Sequence, residues 1–288
     1  MSEIIDQMLN TFQNSPDFGK KNQIKEVVQE IILCGLSRGG FFHHAAFYGG
    51  TALRIFHGLD RFSEDLDFSL LQPDENFELK PYLSYVENEV NAYGLHFHAE
   101  EHQKSMDSDI KSAFLKGNTK EHILLFYADE KFASTIHKDE AIRIKFEVDV
   151  NPPGKAGFER KYRLLPIPYE VQLYDKPSLF AGKIHAVLFR GWKNRIKGRD
   201  LYDYVYYLSQ NIPVNLSHLE SRLHQTCSLP ETESLHIDKL KAMLCQRFGE
   251  INYKEAREDV LPFITRPEKL ALWSSEFFTT ITENLQER

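Results

Sequence analysis

The sequence predicts an α+β protein: a mixed sheet with helices over residues 1–175, then an all-helical bundle over 176–288. Three observations carry this. Apolar or alternating runs recur at 44–48, 65–70, 95–100, 122–127, 141–150 and 169–174, with helical patterns among them. After Lys176-Pro177 every patterned stretch has helical spacing. The 288 residues are 42% hydrophobic and 12% aromatic, enough for packed cores rather than a disordered chain.

Two amphipathic helices open the chain. Ile4, Ile5, Met8, Leu9 and Phe12 share one face, and Ile24, Val27, Val28, Ile31, Ile32 and Leu36 share a longer one that ends at Gly39-Gly40. A buried strand at 44–48 runs into Gly49-Gly50. Thr51–His57 reads as a short helix stopped by Gly58, and 65–70 as the next strand. Glu78–Tyr93 is a helix closed by Gly94. Strands at 95–100, 122–127 and 141–150 follow, then the Asn151-Pro152-Pro153-Gly154 turn and a last strand at 169–174. Helical stretches fall at 178–190, 199–209, 216–226, 232–248 and 269–285.

The formal charge of −7 argues against a surface that grips nucleic acid everywhere. Cys34, Cys227 and Cys245 lie far apart with no CxxC spacing, and the twelve histidines show no third ligand at metal spacing. No Ser/His/Asp hydrolase signature or GxGxxG fingerprint is present. The acidic start MSEIIDQMLN lacks the basic flank and apolar run of a signal peptide, and no apolar run reaches the ~18 residues of a membrane helix. These features predict a soluble, cytoplasmic protein without membrane partners.

The stretch GGTALRIFHGLDRFSEDLDFSL, residues 49–70, carries the chemistry. Gly49 and Gly50 let the backbone approach a ligand closely. A helix starting at Thr51 would point free N–H groups at a phosphate, with the Thr51 hydroxyl adding one more bond. A plain strand-to-helix turn with Thr51 as N-cap is the alternative. Asp65 and Asp67, two apart in a strand, project to one face while Leu66, Phe68 and Leu70 bury the other. Mg2+ would relieve the repulsion between the two carboxylates, and Arg61 and Ser63 stand just upstream within reach of the same phosphates. Asp-x-Asp alone equally describes a solvated acidic loop. Arg143, Lys145, Glu147 and Asp149 alternate with Ile144, Phe146 and Val148. Glu147 is therefore the first candidate for a third acid and Asp149 the second, unless this is a solvated strand face.

In the helical half, Lys183 and Arg190 are seven apart on one helix face, and Asp200 shares a helix side with Asp203, Tyr204 and Tyr207. Lys183 can bind phosphate, and Asp200 can either fix that lysine or receive the acceptor's proton. Surface ion pairs would give the same pattern. Residues 190–199, RGWKNRIKGR, hold five basic residues and Trp192, either an RNA-tracking patch or a solvated loop.

GGTALRIFHGLDRFSEDLDF, the IKFEV strand, and KIHAVLFR followed by KGRDLYDYVYYL resemble the motif series of the AbiEii/MenT-type nucleotidyltransferase toxins, over roughly residues 45–210. The resemblance implies a DNA-polymerase-β-like nucleotidyltransferase core followed by a helical bundle. It implies Asp65 and Asp67 as metal-binding acids, with Lys183 and Asp200 as the essential lysine and late aspartate. Gly49, Gly50, Thr51, Arg61, Ser63 and Lys183 are then the expected nucleotide-binding set, and Glu147 the expected third metal ligand. Mg2+, with Mn2+ as the alternative, is the expected cofactor and an NTP the donor. The family further implies a tRNA 3′ end as acceptor, a cognate antitoxin and a role in abortive infection. Transfer to a protein or small molecule, phosphoryl transfer, and a non-catalytic binding role are the competing readings.

Overall fold

The computed structural model describes residues 3–11, 19–102, 109–190 and 197–288. They form two compact units, each discontinuous in sequence: residues 1–52, 64–152 and 160–173, and residues 53–63, 153–159 and 174–288.

In chain order, the elements up to the end of the sheet are α1 (Glu3–Asn10), α2 (Lys20–Arg38), β1 (Ala45–Tyr48), α3 (Gly49–His57), β2 (Leu66–Leu70), α4 (Lys80–Ala92), β3 (Phe97–His102), β4 (Ile110–Asn118), α5 (Thr119–Tyr127), α6 (Glu130–Ser134), β5 (Ala141–Asp149), β6 (Phe158–Arg163) and β7 (Tyr169–Tyr174). The strands make one mixed sheet in the order β3-β4-β5-β2-β1-β7-β6. β2 lies antiparallel to β1 and parallel to β5, and β4 is antiparallel to both β3 and β5.

Alternation decides what each face carries. Leu66, Phe68 and Leu70 point with Ile144, Phe146 and Val148 into the core, where the Phe68 ring meets those of Phe41 and Phe146 at 5.0 and 5.1 Å. The buried stripe of α2, from Ile24 to Leu36, supplies much of the rest of this core. α4 comes so near α2 that a Cβ on Gly35 would stand 3.0 Å from that of Glu89. Asp67 and Glu147 consequently fall on the opposite face of the sheet.

The second unit continues with α7 (Lys176–Phe189), α8 (Gly198–Ser209), α9 (Leu216–Gln225), α10 (Ile237–Gly249), α11 (Tyr253–Val260) and α12 (Ser275–Thr282). The Asp175 side chain caps α7 by accepting from the Ser178 N–H, with Pro177 in the first turn. Stacked Phe180 and Tyr207, 4.6 Å between centroids, and the Tyr204–Phe248–Phe278 chain fill its core. α8 meets α11 at Gly198, where a Cβ would lie 1.7 Å from the Ala256 carbonyl oxygen, so only glycine permits the approach.

Four expectations require correction. Residues 122–127 are not a strand but most of α5. Asn118 accepts from the Glu121 N–H as N-cap, and His122, Ile123 and Phe126 are buried at helical spacing while Leu124 and Leu125 stay partly exposed. An unbroken apolar run hides that period. β4 and β6 are strands that the sequence pattern does not mark, the first because its inward residues include small Ala113 and Gly117, the second because every residue of that edge strand keeps some exposure. The stretch 269–285 divides into a 3-10 turn, Pro267–Leu270, and α12 capped by Ser274. Finally, α3 starts at Gly49 rather than Thr51. Among the described residues no helix is long and apolar enough to cross a membrane.

Candidate active site

The first unit holds the acids. Gly49 opens α3 at φ +80°, and a Cβ there would sit 2.5 Å from Asp67 Oδ2. Both the backbone conformation and the missing side chain are needed at this position. The first turn of α3, whose N–H groups lack intrahelical partners, thus stands against the Asp67 carboxylate, where the helix end favours negative charge.

Thr51 departs from expectation. It is buried inside the helix, and its hydroxyl donates to the Asp65 carbonyl. That bond ties α3 to the residue before β2, so the side chain is neither an N-cap nor a phosphate ligand. What Gly49, Gly50 and Thr51 can offer a phosphate is backbone.

Asp65 is exposed and immediately precedes β2, and Asp67 lies within it, half-buried. Asp67 is in register with Tyr48 of β1 and Glu147 of β5. Glu147 pairs with Lys145 at 2.8 Å and accepts from Ser112 at 3.3 Å. Asp149 stands opposite Ser69 instead and accepts from the Asn151 N–H at 3.0 Å. Of the two third-acid candidates, Glu147 is the one beside Asp67.

Among the described residues no three His, Cys, Asp or Glu side chains are grouped to hold a metal ion. Asp65 and Asp67 suit a hard cation that takes one or two carboxylates and completes its shell with phosphate oxygens and water, the habit of Mg2+. They do not build an all-protein cage. The segment is anchored to α2, with Lys25 3.1 Å from the Glu64 carboxylate and Gln29 donating to the Glu64 carbonyl at 2.8 Å. Ser63 is half-buried two residues ahead of Asp65.

The second unit holds an alternating chain of charges. Arg61 donates to Asp203 through Nε and a terminal nitrogen, both at 2.6 Å. Lys183 Nζ on α7 stands 2.8 Å from Asp203 and 2.7 Å from Asp200, both on α8. Arg190 closes the chain 2.9 Å from the other Asp200 oxygen. Three cations face two carboxylates, so the row retains one positive charge (3 − 2).

Burial by itself would raise the proton affinity of Asp200. Lys183 and Arg190 outweigh it and hold the carboxyl below its ordinary range. Burial opposes ionisation of Asp203 too, and Arg61 and Lys183 reverse the sign in the same way. Both Asp200 oxygens are ion-paired at 2% exposure, an arrangement that fixes the Lys183 ammonium.

Arg61 is a further correction. It is 3% exposed and also donates to the Phe62 carbonyl, so its guanidinium is structural rather than a phosphate ligand. Asp203, fully buried, is the residue to which no role was assigned. The signal was its position one helical turn after Asp200. In the basic stretch, Trp192, Lys193 and Arg195 lie outside the described residues. Arg199, at its end, stacks its guanidinium 4.1 Å from the Phe263 ring centroid.

Asp65 just before the central strand of a mixed sheet and Asp67 within it, beside a glycine-opened helix, are an arrangement that suits nucleotidyl transfer. The family model described as nucleotidyl transferase AbiEii toxin, type IV toxin–antitoxin system, matches residues 31–277, and the chain belongs to that family. Two solved structures from Helicobacter pylori are similar. A candidate nucleotidyltransferase is 20% identical, covering 93% of this chain and 97% of its own, with a TM-score of 0.50. The protein JHP933 is 19% identical, covering 93% and 94%, with a TM-score of 0.48. At such identity the first bears on the fold alone. No curated protein matches the chain.

Proposed function

We propose that this toxin-family nucleotidyltransferase moves a nucleotide from an NTP to the 3′ end of an RNA, with tRNA as the acceptor, in a divalent-metal-dependent reaction. The observation that carries the proposal is the placement of the Asp67 carboxylate against Gly49 at the start of α3. It supports the reading because a carboxylate of the kind Mg2+ takes and a helix end of the kind phosphate takes lie within one contact of each other.

In the reaction, the acceptor 3′ oxygen bonds to the α-phosphorus as the α–β phosphoanhydride bond breaks. Pyrophosphate leaves and the hydroxyl proton passes to solvent or a nearby base. Asp65 and Asp67, with Glu147 as third candidate, would hold a Mg2+, whose contribution when bound would be charge neutralisation at the donor phosphates. The backbone of Gly49, Gly50 and Thr51 orients those phosphates. Lys183, held between Asp200 and Asp203 within the second unit, is a fixed ammonium of the kind that suits a phosphate group, and Ser63 is a further candidate ligand through its hydroxyl. Such substrates place the protein in the cytoplasm, and the family supports a cognate antitoxin as the restraining partner.

Incubating the purified protein with each α-labelled NTP, Mg2+ and total RNA tests the reading. Label in tRNA-sized RNA is expected, lost when Mg2+ is chelated. Label confined to protein or small molecules, or unaffected by chelation, overturns it.

A further inference from the structure

We infer that the polar face of β3, β4 and β5 is the docking platform for the single-stranded end of the RNA acceptor, with Phe114, Arg143 and Lys145 as its principal contacts. The inference rests on the RNA-acceptor reading above and adds where that acceptor lies.

The strand registers build the platform outward from the acids. Asp67 stands beside Glu147, and Glu147 beside Ser112. One side-chain row further along, Lys145 stands beside Phe114, and Phe114 beside Glu100. In the next row Arg143 stands beside Lys116, and Lys116 beside His98. Rows on one strand face are about 7 Å apart, so Arg143 lies about 13 Å along β5 from Glu147. All these residues share the face opposite Ile144 and Phe146, which are buried. Arg143 and His98 are exposed, and Phe114, Lys116 and Lys145 are half-buried.

The composition of this face fits a single strand of RNA. Phe114 offers an aromatic surface outside the core of a β-strand, where a base can stack without sequence readout. Lys116 Nζ already stands 6.0 Å from its ring centroid, and Lys145 flanks it on the neighbouring strand. Lys116 is balanced by Glu100 and Lys145 by Glu147, so Arg143 adds a cation beyond those two pairs. On a chain of net charge −7, an aromatic ring flanked by three cations, one side-chain row along from the row of Asp67 and Glu147, is a local exception. A duplex could not present unstacked bases to Phe114, whereas an unpaired 3′ end can. An RNA running along these rows would bring its terminal hydroxyl to the carboxylate end.

The test compares wild type with Phe114→Ala, Arg143→Glu and the milder Arg143→Ala. Anisotropy follows a labelled single-stranded oligoribonucleotide and a blunt duplex, and KM for RNA and for NTP is measured in the transfer reaction. The expected result is a five- to hundredfold weaker affinity for the single strand in Phe114→Ala and Arg143→Glu, on the order of one stacked base. RNA KM should rise in parallel, with NTP KM and melting temperature unchanged. The Arg143 variants should also flatten the salt dependence of binding. If wild type labels RNA and all three variants keep its RNA KM, the platform is wrong while the RNA reading stands. If wild type labels only a non-RNA acceptor, the RNA reading falls and the platform with it.

Discussion

Arg61 and Asp203 face each other through two hydrogen bonds of 2.6 Å, and neither side chain exceeds 3% exposure. Removing Asp203 leaves the buried Arg61 guanidinium without its counterion, which costs about 3–5 kcal/mol, whereas removing Arg61 leaves Asp203 still paired with Lys183 at 2.8 Å. Asp203→Leu should destabilise by that order in chemical denaturation, and Arg61→Met by less. Arg61→Met/Asp203→Leu should cost clearly less than their sum, because no bare charge remains. Strict additivity would mean that the pair is not coupled.

Gly49 and Gly58 both have φ of +80°, yet only Gly49 has a neighbour in the way of a Cβ. Alanine at either position strains the backbone by about 1–2 kcal/mol. Gly49→Ala must additionally push the Asp67 carboxylate aside. We expect transfer to fall at least about a hundredfold in Gly49→Ala, as a misplacement near 1 Å costs, and to stay near wild type in Gly58→Ala. Equal losses in the two would remove the special role given to the contact.

These features differ in how legible they were. The acid pair and its strand could be read because Leu66, Phe68 and Leu70 force a period of two, and the α7 lysine because seven-residue spacing places Lys183 with Arg190. Arg61 was misread because an arginine beside an acidic motif has the same letter whether it reaches solvent or a buried aspartate 142 positions later. Nothing local marks long-range pairing. Thr51 was misread for a nearer reason: α3 starts two residues early, since Gly49 can take a left-handed conformation, and the hydroxyl is then turned onto the Asp65 carbonyl. At 122–127, continuous apolar letters carried no period, and the Asn118 cap decided for helix.

Asp200 offers a choice between two roles with different pH signatures. A general base would titrate in the rate, and Asp200→Asn would abolish that limb of the kcat/KM profile. A carboxylate that holds Lys183 in place would leave the profile's shape alone. We expect Asp200→Asn to lower the rate about tenfold to a hundredfold with an unchanged acidic limb, measured from pH 5 to 9.

His185 on α7 has its proton affinity lowered from 6.5 to about 4, chiefly by burial, with Arg222 and Arg190 adding repulsion. Between these values the unfolded chain takes up a proton that the folded one refuses, so stability rises with pH across that window. Asp200 and Asp203, with depressed values, lose their contribution only as pH falls below the ordinary carboxylate range. His185→Gln should therefore flatten the stability curve between about pH 4 and 6.5. Denaturation midpoints across that range check it, and an unchanged slope would contradict the assignment.

The most direct measurement is nucleotide transfer by Asp67→Asn beside wild type, with the same α-labelled NTP, total RNA and Mg2+, at matched melting temperature. If Asp67 at the start of α3 is the carboxylate on which the chemistry depends, transfer falls about a thousandfold or more while the fold is kept. Transfer within a few-fold of wild type by a folded Asp67→Asn protein would contradict the account.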